Sequence, residues 1–71
     1  MNKLSPKKLL NSKWTAVHPA NKEKHFVVTD VKYDDEDNVV FCELEAVMSK
    51  NSYQIQWREL QDAANWLQGW V

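Results

Sequence analysis

The chain has 71 residues, 27% of them charged, with a net charge of −1, a single cysteine and a single glycine. That length implies one domain near the lower limit for independent folding, burying only about 60% of the surface its unfolded chain exposes. The lone Cys42 excludes an internal disulfide, and no apolar run approaches the ~20 residues that cross a bilayer, so a cytoplasmic protein without a membrane partner is expected.

The near-neutral total hides a split. Residues 1–24 hold six lysines and one glutamate, for +5, whereas residues 25–50 hold two lysines and seven carboxylates, for −5. Residues 1–4 carry no element signal and are expected to be disordered. Ser5-Pro6-Lys7-Lys8-Leu9-Leu10-Asn11 reads as a short helical turn over 5–11. Ser5 can cap it, Pro6 suits the first helical position, and Leu9 and Leu10 supply apolar surface.

Lys13 to His18 alternates and holds good strand formers, with Pro19 as its stop and Pro19 to Lys24 as the first loop. His25 to Asp34 is a second strand, Val39 to Met48 a third and Tyr53 to Trp57 a fourth. The acidic run Asp34 to Asn38 and the polar run Ser49 to Ser52 are turns, Asn38 being a residue that tolerates positive φ. The scarcity of glycine argues against tight primed hairpins. These strands over 13–57 predict a mainly β fold on the α+β borderline, a four-stranded antiparallel meander. The long central strands have stretches that are apolar on both faces. They favour either a strongly twisted, partly closed barrel of the SH3 or Tudor kind, or a flatter sheet with a helix on it. Trp14, Val28, Val31, Val40, Cys42, Leu44, Ile55, Trp57 and Leu60 are the expected core.

The tail carries three of the four tryptophans. Leu60, Ala64, Leu67 and Val71 recur at three- and four-residue steps, which predicts a C-terminal helix over 58–68 closed by Gly69. If that helix buries its leucines, Trp66 and Trp70 cannot both turn fully inward. They are therefore the candidate partner-binding residues, Trp70 foremost.

Catalytic and metal motifs are lacking. The run Asp34 to Asn38 has Val39 where a calcium loop needs glycine. His18, His25 and Cys42 have no short ligand spacing, no glycine-rich phosphate loop is present, and no base is placed beside Cys42. No catalytic, cofactor or metal residue is therefore expected, and the chain is not read as an enzyme.

Ser12-Lys13-Trp14-Thr15-Ala16, Lys24-His25-Phe26, Glu45-Ala46-Val47, Trp57-Arg58-Glu59-Leu60 and Trp66-Leu67-Gln68-Gly69-Trp70 are shared features of a known group. In their order and spacing the chain, from about Leu9 to Trp70, resembles a small tryptophan-rich bacterial family of unknown function found in cyanobacteria and some proteobacteria. The resemblance implies a short stand-alone cytosolic protein and carries no assigned activity, cofactor or catalytic residue. The function expected is a non-enzymatic binding or accessory module for a protein partner or for self-association. The alternative is weak nucleic-acid binding by the basic arm and an exposed tryptophan such as Trp14 or Trp66.

Overall fold

Residues 23–46 are rich in β-branched and aromatic residues and form the two central strands of the sheet. The computed structural model describes residues 2–71. Its strands are β1 (Lys13–Ala20), β2 (Glu23–Tyr33), β3 (Val39–Ala46), β4 (Ser52–Gln54) and β5 (Trp66–Gln68). All pairs are antiparallel, in the order β4-β3-β2-β1-β5. The mainly β expectation holds, but there are five strands rather than four. The sheet also stays open, with β4 and β5 as its edges, so it is not an SH3-like or Tudor-like barrel.

The first hairpin is tighter than its composition suggests. β1 runs through Pro19 to Ala20, which pairs with Glu23. Asn21 and Lys22 both take positive φ, 55° and 62°, the mark of a primed two-residue turn made without glycine. Pro19 is tolerated because the register shifts between Thr15 and Ala20, leaving that part of β1 bulged away from the β2 ladder. In the second turn the positive φ falls on Asp37, not Asn38. The Asp34 carboxylate accepts the backbone N–H groups of Glu36 and Asn38, both at 2.9 Å, and these bonds hold its pKa below the usual range.

One face of the sheet is the core. Trp14 lies opposite Phe26, Phe26 opposite Ala46, and Val28 opposite Leu44. All five are buried with Cys42, and the fully buried Leu9 and Leu60 cover them. The Trp14 indole N–H donates to the Ser12 hydroxyl at 2.8 Å, which meets the polar need of a fully buried ring. Two bulges correct the expected core. Thr29 is an extra residue on β2 and Val40 an extra residue on β3, so Val40 turns out to 60% exposure while Cys42, Leu44 and Ala46 stay inside. Val31, Ile55 and Trp57 are half-buried at the core's rim.

Both predicted helices shrink. The N-terminal one is a single 3-10 turn, Pro6–Lys8, which Ser5 precedes without a side-chain cap bond; Leu10 is exposed. The predicted 58–68 helix is replaced by a 3-10 turn, Trp57–Gln61, and strand β5. At the start of the turn the Glu59 carboxylate accepts the Gln56 N–H at 2.9 Å, and the turn buries Leu60. It ends because Asp62 is extended, and its carboxylate captures the Ala64 N–H at 3.0 Å and the Asn65 side-chain amide at 2.8 Å. Those bonds compete with a helical path. Ala63 and Ala64 are accordingly exposed, as is Leu67, and their helical spacing reflects no helix.

Residues 2–4, expected to be disordered, lie against the tail; Met1, part of that expectation, falls outside the described residues. The Asn2 side-chain amide donates to the carbonyls of Leu60 at 2.9 Å and Trp66 at 2.7 Å, and Gln68 donates to the Lys3 carbonyl at 2.7 Å. The Asn2 bond to Trp66 occupies one backbone carbonyl of β5, which blunts that edge against strand addition.

Leu60→Ala should lower the unfolding free energy by ~2–5 kcal/mol in urea denaturation, the usual cost of emptying a closed leucine site. Val40→Ala should change it by less than ~0.5 kcal/mol, because the bulge has already turned that side chain out. Equal effects at the two positions would contradict the bulge.

Candidate functional site

Covering elements leave one part of the apolar face open. Between the β1–β2 hairpin and β4 lies a cleft of ≈ 410 Å³. Its apolar wall comes from Ala16, Phe26, Leu44, Ile55 and Trp66. β5 pairs with β1 so that Trp66 stands opposite Ala16, and that register delivers the indole to the cleft. Trp66 meets Phe26 edge to face, with ring centroids 5.3 Å apart at 82°. Tyr53 meets Phe26 from the other side at 6.3 Å and 62°. A wider hollow of ≈ 530 Å³ lies along Arg58, Gln61, Asp62, Ala63 and Ala64, but no buried side chain forms its lining.

Glu23 forms the polar end of the cleft and is only 6% exposed. One carboxylate oxygen accepts the Tyr53 hydroxyl at 2.5 Å. The other accepts the Ser49 hydroxyl and the Asn51 amide, the latter at 3.1 Å. The Ser49 and Tyr53 bonds outweigh the opposing cost of burial, so the Glu23 carboxyl sits below its usual range and is ionised near neutrality. Its charge and hydrogen bond in turn raise the Tyr53 phenol, which remains the donor.

The two sequence-proposed contact residues go to opposite faces. Trp66 is half-buried in the cleft. Trp70 lies on the other face, 44% exposed, with its indole N–H donating to the Phe26 carbonyl at 2.9 Å. The Lys13 ammonium sits 4.7 Å from the centre of the Trp70 ring, and the His25 ring lies 6.1 Å away. Trp14 is 1% exposed and cannot stack on a base.

Cys42 is buried in the core, and burial pushes its thiol up to about 11. His18 borders the cleft, whereas His25 lies beside Trp70 with its Nε2 3.1 Å from the Val71 carbonyl oxygen. Among the described residues no three His, Cys, Asp or Glu side chains converge as a metal site. Among them, too, no helix is long and apolar enough to cross a membrane.

Sequence reasoning missed Glu23, which sits in the polar run Asn21-Lys22-Glu23-Lys24 and looks like a solvated loop residue. Its partners lie 26 to 30 positions away. Only the alternation of Tyr53 with Ile55 hinted at a wall residue here.

Because the folded pKa of Glu23 is depressed, its contribution to stability is fully present above the unfolded value of 4.5 and is lost as pH falls through the lower folded value. The melting temperature of the wild type should exceed that of Glu23→Gln near neutrality. The gap should narrow as thermal melts are taken to progressively lower pH below 4.5, as the carboxyl gains a proton. A gap independent of pH would show that Glu23 acts by packing alone.

No curated protein and no solved structure matches the chain. The family model described as "Tryptophan-rich protein (DUF2389)", a family of unknown function, matches residues 12–71. That span takes in all five strands, the Trp66 cleft and the Trp70 face, and the chain belongs to this tryptophan-rich family.

Proposed function

We propose that the chain is a non-enzymatic, cytoplasmic binding module that docks a protein partner in the Trp66 cleft. The observation that carries this is the cleft itself, an open apolar hollow walled by aromatic rings and ended by a buried carboxylate. Aromatic anchors beside a few placed polar groups are the usual make-up of a recognition site. The inert Cys42 thiol and the separation of His18 from His25 support a role without catalysis. Trp70, with exposed Leu67 and Val71, offers a second surface suited to self-association.

A nucleic-acid contact is the second reading, and the Lys13–Trp70 pair favours it. That pair places a cation and a partly exposed ring together on the uncleft face. Binding to generic single-stranded DNA that falls steeply with added salt supports it, and absence of binding at low salt excludes it.

The docking reading is tested by affinity capture from native lysate with the wild type, Ala20→Arg and Trp70→Ala. Ala20 is exposed at the cleft mouth, so arginine there obstructs the cleft at little cost to folding. A protein retained by the wild type and Trp70→Ala but lost from Ala20→Arg is the expected result. Retention by Ala20→Arg with loss from Trp70→Ala moves the docking surface to the other face. No retained protein, or one indifferent to both changes, refutes the reading.

A further inference from the structure

We propose that the cleft receives a primary ammonium group, the side chain of a lysine presented by the partner; this rests on the docking reading above. Glu23 is an ionised carboxylate, nearly enclosed, whose three donors among the described residues are all neutral: Ser49, Asn51 and Tyr53. Hydrogen bonds from neutral groups solvate such a charge but do not cancel it, and a buried charge gains most from an opposite one.

The count of lone pairs selects the shape of that cation. A carboxylate offers about four acceptor sites, two on each oxygen. The Glu23 oxygen Oε2 takes both Ser49 and Asn51, whereas Oε1 takes only Tyr53, so one site on Oε1 stays open. A compact ammonium needs one such site. A guanidinium fork seeks two parallel acceptors, and the filled Oε2 denies it the second.

The rest of the cleft suits the same group. Phe26 stands between Tyr53 and Trp66, edge to face with both, so the ring planes differ and their electron-rich faces are not stacked away against one another. Aromatic faces attract ammonium groups. The stem of a lysine is four methylenes long, and Ala16, Leu44 and Ile55 provide apolar surface along which it can lie. An anion would meet the Glu23 carboxylate, and neither lysine nor arginine lines the cleft to hold it.

The test titrates the wild-type chain with Nα-acetyl-lysine methylamide and, separately, with Nα-acetyl-norleucine methylamide, whose side chain keeps the four carbons and lacks the ammonium. NMR follows the Trp66 indole N–H and the Tyr53 ring. The lysine probe should bind tighter than the norleucine probe by about tenfold or more, the scale of a hydrogen bond to a charged group. Glu23→Gln should erase that preference, and the ratio measured on the wild type remains decisive if the variant folds poorly. Equal binding of the two probes overturns the ammonium inference and leaves an apolar docking cleft. No response at Trp66 or Tyr53 to either probe also overturns it, while the lysate capture decides the docking reading independently.

Discussion

The pairing of β5 with β1 is the constraint on which the arrangement of the molecule depends. β1 would otherwise present unpaired backbone groups over Trp14–Ala16, and buried backbone groups without partners are costly. Thr15, 1% exposed, locks the chain after β5 in place. Its hydroxyl donates to the Gly69 carbonyl at 2.7 Å and accepts the Val71 N–H at 3.1 Å. Gly69, at φ 82°, takes the left-handed turn that lets the chain leave the strand there and bring Trp70 back over β2. One register therefore assigns Trp66 to the cleft and Trp70 to the opposite face.

Around that constraint the two faces divide their work. The core face buries Trp14, Phe26, Val28, Cys42 and Leu44 beneath Leu9 and Leu60, then opens where the two 3-10 turns no longer cover it. Glu23 marks the transition. It ties the hairpin end of β2 to the β3–β4 loop through Ser49 and Asn51 and to β4 through Tyr53, so the cleft's polar end is held by three separate points of the chain. Such a hydrogen-bonded network orients its members and keeps the hollow from collapsing.

The central strands were legible because Leu44 and Ala46 alternate with Glu43 and Glu45, the period of a half-buried strand, and because Phe26-Val27-Val28 is a run of good strand formers. The bulges at Thr29 and Val40 were not, since one extra residue reverses which side chains face inward and leaves no mark in composition. The tail misled for a related reason. Leu60, Ala64 and Leu67 fit a helical period, whereas the strand Trp66–Gln68 has three residues, too few to show a period of two. Its existence depends on the free edge of β1, a tertiary fact. Trp66 and Trp70 were singled out from their spacing, but the helix behind that argument is absent; a short strand and a turn at Gly69 place both rings. Glu23 was hidden because its donors come from distant residues, and nothing local distinguishes it from Lys22 and Lys24 beside it.

The most direct test of this account is the cross-strand geometry of the tail, read from NMR contacts between α-hydrogens. Gly69 donates to the Lys13 carbonyl and Val17 to the Asn65 carbonyl, so the pairs Trp14–Gln68 and Ala16–Trp66 fall at the non-hydrogen-bonded positions between them. Such pairs bring the α-carbons to about 4.5 Å and their hydrogens closer still. The account predicts strong α-hydrogen contacts between Trp14 and Gln68 and between Ala16 and Trp66. Sequential amide–amide contacts running unbroken from Asp62 to Gln68, without those cross-strand contacts, would make the tail a helix and contradict the placement of Trp66 in the cleft.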